Sequence, residues 1–150
     1  MYREIVKWPS QSLKRKSQPA EIEAEECRNI IQDLKDTFRV KDGYGLAAPQ
    51  IGFNTRIITV NPSAIGMDDE FASLEQLIMV NPEIECSGDL TLSKEACFSV
   101  PDVSEVVGRY PHCVVTFTNE ERNQQTIELT GLAAFCIEHS ASNSSIVEER

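Results

Sequence analysis

The decapeptide GYGLAAPQIG, residues 43–52, lies at the junction of the two patterns that organise this chain. It carries no charged side chain and holds glycines at 43 and 45. Glycine allows backbone conformations closed to other residues, and it lets another chain approach the main chain closely. A plain turn would explain these glycines equally well, so the role of the decapeptide depends on what its flanking segments form.

Upstream of the decapeptide, apolar residues recur at helical spacing among acidic residues and Lys35. The period predicts an amphipathic helix that starts near Glu21, after Pro19, and ends at residues 41–43. The proline-containing residues before it predict an extended arm. The residues on the apolar face of this helix are Ile22, Cys27, Ile30, Ile31, Leu34 and Phe38.

Downstream, short β-branched or alternating segments predict strands at 56–60, 77–80, 83–86, 104–109, 113–117 and 126–129. Residues 61–70 are predicted to form a loop, and Asn81-Pro82 is predicted to break the second strand from the short edge piece that follows it.

A second helix is predicted from Leu132 to His139. This segment is apolar on most faces, which is typical of a helix buried in the core. The order of helix, strands and helix predicts one α+β domain over residues 1–150, with mixed or antiparallel sheets around a central buried helix. Residues 140–150 are poor in core formers and are predicted to be a frayed tail.

Composition excludes several classes of function. The hydrophobic share of 41% is ordinary for a globular protein, and the formal net charge of −10 repels phosphate backbones and anionic lipid, so neither a nucleic-acid nor a membrane partner is expected. The first 17 residues lack the apolar region of a secretory signal. The five cysteines form no CxxC pair, which predicts reduced thiols in the cytoplasm or an organelle matrix.

Three segments carry candidate chemistry: the decapeptide, Glu95-Ala-Cys97-Phe-Ser99, and Cys136-Ile-Glu-His139 on the second helix. Their set and order resemble the peptide deformylases, which remove the formyl group from the N-terminal methionine of new proteins. The start Ile5-Val-Lys-Trp-Pro9 and the segment Asn81-Pro-Glu83 extend this resemblance over nearly the whole chain.

The resemblance implies specific roles. Gln50 would direct its amide at the formyl oxygen, aided by the backbone N–H of Phe98, and Gly45 would lie beside them. Cys97, which alone would be interpreted as a small core residue, matches the thiolate ligand of a divalent metal: Fe²⁺, or Zn²⁺, Ni²⁺ or Co²⁺. The implied substrate is a formyl-Met peptide at the start of a nascent chain, bound by a monomer. The implied substrate pocket is formed by Gly43, Glu95, Leu132, Phe135 and Cys136.

The third segment departs from the family pattern His-Glu-x-x-His, in which two histidines bind the metal and the glutamate is the general base. His139 matches the first ligand. Ser140 occupies the position of the base, and Asn143 that of the second histidine. A serine hydroxyl cannot take a proton near neutral pH, and an amide oxygen is a poor ligand beside a thiolate. Glu138 stands about 100° around the helix from His139, so it should face elsewhere.

Two interpretations remain open. The chain is either a divergent metal-dependent deformylase or a catalytically inactive deformylase-like pseudoenzyme, binding protein or truncated product. The first two segments fit both interpretations, whereas the third favours the inactive one, with weak metal binding. The change of character after His139 is what a frameshift, an alternative splice, a truncated gene or the decay of a non-catalytic paralogue would produce.

Overall fold

The computed structural model describes residues 1–5, 18–41, 43–67, 69–97 and 100–143. At residues 69, 96, 97, 100–105, 142 and 143 only the backbone is described. The elements in chain order are α1 (Glu25–Lys41), β1 (Gly45–Ala47), a 3-10 helix (Ala48–Ile51), β2 (Ile57–Val60), α2 (Asp69–Ala72), β3 (Leu77–Ser87), β4 (Thr91–Cys97), β5 (Val100–Arg109), β6 (His112–Thr118), β7 (Gln124–Thr130) and α3 (Leu132–Asn143).

The strands form two antiparallel sheets. One has five strands in the order β1-β2-β3-β6-β7, and the other pairs β4 with β5. Antiparallel neighbours can be joined by short turns, which explains why most of these strands pair with their neighbour in sequence. The predicted α+β class with antiparallel sheets is confirmed.

The five-stranded sheet lies between two helices. In β3, Leu77 and Met79 belong to the hydrophobic cluster that contains Ala134 and Ile137 of α3. Ile78 and Val80 belong to the cluster that contains Leu34 and Phe38 of α1. Successive strand residues point to opposite faces, so this alternation places α1 on one face and α3 on the other. The predicted central buried helix is therefore α3.

The prediction that Asn81-Pro82 breaks a strand is wrong. β3 continues through both residues, and its register against β6 shifts between Val80 and Glu83. Asn81 has a φ of 52°, and its side chain bonds the backbone of Ala20 at both N–H and C=O. The pair is a bulge, in which an irregular backbone is held by local hydrogen bonds while pairing resumes beyond it.

Other boundaries also differ from the prediction. α1 begins at Glu25, because residues 21–24 form a turn closed by a hydrogen bond from Ala24 N to Glu21 O. The predicted loop at 61–70 includes the start of α2, and β1 and β4 were not predicted. The expected fraying is wrong for residues 140–143, which continue α3, with Ser140 and Ala141 buried. Residues 144–150 lie outside the described residues.

None of the helices in the described ranges is long and apolar enough to cross a lipid bilayer.

Candidate active site

His139 of α3 is oriented by a carboxylate from β4. Its Nδ1 lies 2.6 Å from Oε1 of Glu95. An ionised carboxylate can only accept, so Nδ1 donates, and in the neutral ring the lone pair is then on Nε2. This contact assigns Nε2 as the nitrogen suited to bind a metal, since metal-binding histidines usually donate their other N–H to such a partner.

Glu95 is held from a second direction by Arg109, the last residue of β5. Nη2 of Arg109 lies 2.7 Å from Oε1 and its Nε lies 3.0 Å from Oε2. Both side chains are largely buried, at 13% and 7% exposed. Burial raises the pKa of Glu95, but hydrogen bonds from His139 and Arg109 outweigh it and lower the pKa to about 2. Glu95 is therefore ionised, and it joins α3 to both strands of the smaller sheet.

Gly45 lies directly against Ser140. A Cβ atom at Gly45 would stand 2.6 Å from Oγ of Ser140 and 3.2 Å from the carbonyl oxygen of Thr59. An added Cβ would force the Ser140 side chain or the neighbouring backbone to shift, so glycine at residue 45 favours this close approach of α3 to β1. The described close neighbour of Gly45 is thus α3. The predicted role of Gly45 beside a bound substrate stays a prediction.

Gln50 is buried in the 3-10 helix, with 1% of its surface exposed. Its Oε1 accepts a hydrogen bond from the backbone N–H of Ala47 at 3.0 Å. This bond assigns the two ends of the amide, since only the oxygen can accept from an N–H. The NH₂ group is thereby the end that lies away from Ala47, which is compatible with the predicted role of Gln50 as a donor.

Comparison with known proteins agrees with the motifs. The family model described as "Polypeptide deformylase" matches residues 2–142. The chain belongs to the polypeptide deformylase family. It is 39% identical over 116 residues to peptide deformylase 2 of Gloeobacter violaceus, covering 77% of this chain and 59% of that protein. It is 32% identical over 139 residues to the peptide deformylase of Aquifex aeolicus, covering 93% of this chain and 80% of that protein.

Solved deformylase structures share the fold. The crystal structure of a probable peptide deformylase from Synechococcus phage S-SSM7 superposes with a TM-score of 0.82 at 31% identity, covering 97% of this chain and 95% of that one. The family resemblance inferred from the three segments is therefore confirmed. The chain spans less than two thirds of the length of the Gloeobacter relative.

The metal that deformylases imply fits the described residues only in part. His139, with Nδ1 bonded to Glu95, is a suitable imidazole ligand. Ser140, at the position of the family's general base, has a hydroxyl packed on Gly45 and is 2% exposed. By the motif match, α3 thus offers an oriented imidazole at the predicted ligand position and a hydroxyl, with no carboxylate, at the predicted position of the base.

Of three predicted site residues, two are described only in their backbone and one is not described. The backbone of Cys97 ends β4, two residues after Glu95 and opposite Val100. Asn143 is the last residue of α3. Their side chains, and all of Phe98, lie outside the described residues, so the metal-ligand roles of Cys97 and Asn143 and the oxyanion role of the Phe98 N–H stay predictions.

The residues predicted to line the methionine pocket differ in their exposure. Leu132 is 48% exposed, Phe135 is half-buried, and Cys136 is 9% exposed. Gly43 is half-buried ahead of β1. A separate cavity of about 440 Å³ is lined by β7 and by Gly66, Met67, Glu70 and Phe71, and it touches α3 at Ala133. That cavity is not the predicted pocket, whose use by a peptide stays a prediction.

Sequence reasoning missed several polar residues around α3. Arg109 carries the ion pair to Glu95. Glu138, predicted to face away from His139, accepts a hydrogen bond from the backbone N–H of Tyr110 at 2.7 Å and is 4% exposed. The sequence did contain a signal for the buried role of Glu138, because a carboxylate on an otherwise apolar buried helix needs hydrogen-bond partners.

Proposed function

We propose that this chain is a deformylase-family protein whose hydrolysis of formyl-methionyl peptides is weak or absent. The observation that carries the proposal is the buried hydroxyl of Ser140, packed on Gly45 where the family has its general base. A serine cannot move a proton from water to the leaving amine near neutral pH. Loss of a general base typically lowers a rate by about 10²- to 10⁴-fold.

The remaining residues suit binding and orientation of a peptide. Gln50 keeps its amide assigned as a donor, and Glu95 orients His139. Cys97 and His139 would hold a divalent metal, which when bound polarises a carbonyl oxygen and activates water. Asn143 would be a third ligand only through its amide oxygen, which is poorly matched to a thiolate-containing site. Metal binding is therefore expected to be weak.

The substrate class follows from the family. The proposed ligand is the formyl-Met end of a nascent chain, with its methionine side chain against Leu132, Phe135 and Cys136 and its backbone near Gly43. The proposed setting is the cytoplasm or an organelle matrix, and the proposed state is a monomer without a nucleic-acid or membrane partner.

An active metal-dependent deformylase is the second candidate. The contact between His139 and Glu95 favours it, since a carboxylate that orients an imidazole is the usual second partner of a metal-bound histidine. On this interpretation some group other than Ser140 would accept the proton. The two candidates differ in turnover, which makes them separable by one assay.

The test is release of formate from a formyl-Met peptide, with metal content measured on the same samples. The unaltered chain would be compared with the double variant Ser140→Glu with Asn143→His, each supplied with Fe²⁺, Ni²⁺ or Co²⁺. The matched control is Ser140→Gln with Asn143→His, which has the same size and the same restored ligand but no carboxylate. Circular dichroism would check that α3 remains folded in each.

We expect little or no formate from the unaltered chain and from the glutamine control. The glutamate variant should gain at least about 10²-fold, which is the lower range for a general base. Stoichiometric metal and efficient turnover in the unaltered chain would overturn the proposal and support the active enzyme. Equal rates in the glutamate and glutamine variants would show that the missing base is not what limits this chain.

A further inference from the structure

Two cysteines on neighbouring strands of the five-stranded sheet face one another, and neither is among the predicted metal ligands. Cys86 near the end of β3 is directly opposite Cys113 in β6, and their sulfurs lie 3.1 Å apart. Cys113 is fully buried, whereas Cys86 is half-buried. Of the two residues, Cys86 is therefore the more accessible to solutes.

A carboxylate completes this group from the helix. Glu138 of α3 is 4% exposed, and one of its oxygens lies within 4.8 Å of both sulfurs. Its Oε1 accepts a hydrogen bond from the backbone N–H of Tyr110 at 2.7 Å, which fixes the carboxylate in place. His139 contacts Glu95 instead, so the two successive helix residues serve different clusters.

We propose that Cys86, Cys113 and Glu138 form a second metal site, specific for a thiophilic divalent cation such as Zn²⁺. Zinc binds thiolate sulfur at about 2.3 Å and carboxylate oxygen at about 2.0–2.2 Å in tetrahedral geometry. Two sulfurs on one zinc then lie about 3.8 Å apart. The observed spacing of 3.1 Å between the sulfurs, with the third ligand inside 4.8 Å, requires only small side-chain rotations to reach this arrangement.

The ligand chemistry selects the cation. Thiolates favour zinc over magnesium and calcium, which prefer sets of oxygen ligands. Burial raises the pKa of both thiols, so the metal-free pair is protonated. Binding of one cation forms two metal–sulfur bonds and releases the two thiol protons to solvent, while Glu138 supplies the oxygen ligand. The fourth position is left to water.

Such a site would tie two strands to the helix that carries His139. Cys86 and Cys113 belong to β3 and β6, and Glu138 belongs to α3. A cation bound by all three would stabilise the folded chain, because the ligands are brought together only in the native state. The inference does not depend on deformylase activity, since none of the three residues belongs to the predicted catalytic set.

The experiment measures metal binding at the proposed site separately from the family site, because it uses a chain that lacks Cys97, the predicted thiolate ligand of the family. A Cys97→Ala chain would be reduced, stripped with a chelator and titrated with Co²⁺, whose thiolate complexes absorb in the near ultraviolet. The same titration would be run with Cys86→Ser added, and with Cys27→Ser added as the control. Cys27 is a buried cysteine of α1 outside the cluster. Zn²⁺ would then be tested for displacement of Co²⁺ and for its effect on the melting temperature.

We expect one equivalent of Co²⁺ with thiolate absorption in the Cys97→Ala chain and in the Cys27→Ser control. Adding Cys86→Ser should lower that absorption by at least half at saturation, because only the Cys113 thiolate remains, weaken binding at least about tenfold and reduce the rise in melting temperature on adding Zn²⁺. Cys86 is half-buried, so this variant should fold, and Glu138→Gln provides an independent removal of a ligand. Absorption that is absent from the Cys97→Ala chain, or unchanged by Cys86→Ser, would overturn the proposal. So would a Cys86–Cys113 disulfide that persists under reducing conditions.

Discussion

Nδ1 of His139 lies 2.6 Å from Oε1 of Glu95, and this contact joins α3 to the smaller sheet. Glu95 also receives the guanidinium of Arg109, so the orientation of His139 depends on a buried ion pair. A carboxylate with two charged or polar donors is rigid, because moving it would leave either donor without its acceptor. The imidazole is thus positioned by Glu95 and Arg109, two residues of the smaller sheet that are distant from α3 in the sequence.

Glu95→Gln tests this dependence. The amide cannot neutralise Arg109, so the variant removes the anionic partner of the ion pair from this buried cation. We expect the free energy of unfolding to fall by about 3 kcal/mol, the lower range for removing one partner of a buried pair. Urea unfolding followed by circular dichroism measures the change.

Glu128→Gln is the matched control. Glu128 also faces a histidine, with 3.9 Å between its Oε2 and Nε2 of His112, but its side chain is 76% exposed. Its loss should change the free energy of unfolding by no more than about 0.5 kcal/mol. Equal losses in the free energy of unfolding for the two substitutions would contradict the claim that the buried ion pair of Glu95 stabilises the fold more than an exposed contact does.

Gly45→Ala tests the contact between β1 and α3. The added methyl would stand 2.6 Å from Oγ of Ser140, so we expect a loss of about 1–3 kcal/mol in the free energy of unfolding. The double variant with Ser140→Ala removes the clashing oxygen and should recover part of that loss. Additive effects in this cycle, measured by urea unfolding, would mean that Ser140 is not what excludes a side chain at residue 45.

Much of the fold was predictable because its core elements have strong patterns. β2 is a β-branched run, and α3 begins with a segment that is apolar on most faces, as is typical of a buried helix. β1 was not predicted because it has only three residues. β4 was not predicted because its sequence, TLSKEAC, shows little alternation of apolar and polar residues. The bulge at Asn81 was mistaken for a break because proline ordinarily ends strand pairing.

The site was predictable only where residues match a family motif. His139 and Gln50 stand in motifs, and the position of Glu95 in its motif led us to a pocket role. Its pairing with Arg109 depends on how β4 lies against β5, which no local pattern specifies. The meeting of Cys86 with Cys113 likewise requires the register of two strands 25 or more residues apart in sequence.

Asn81 allows the backbone and side-chain contributions of the bulge to be separated. Asn81→Gly keeps access to its φ of 52° but loses two hydrogen bonds to Ala20, at 2.7 and 2.8 Å. We expect about 1–3 kcal/mol of destabilisation from those bonds. Asn81→Ala loses the same bonds and also disfavours the left-handed backbone, so it should be less stable than the glycine variant by roughly 1 kcal/mol. Thermal and urea unfolding measure both, and an alanine variant as stable as the glycine one would contradict the strain argument.

Leu132→Asp tests the proposed methionine pocket. Leu132 is 48% exposed and is the first residue of α3, where an aspartate is favourable for the helix, so the fold should be preserved. If its side chain covers the methionine of a bound formyl-Met peptide, the charge should raise the Kd at least about tenfold, since burying a leucine is worth about 1.5–3 kcal/mol. Leu74→Asp is the control, because Leu74 is similarly exposed at 43% and lies outside the predicted pocket. Isothermal titration calorimetry with the peptide measures the Kd of both variants. Equal Kd values for the two variants would place the methionine outside this pocket. No binding by the unaltered chain would show that the peptide is not a ligand.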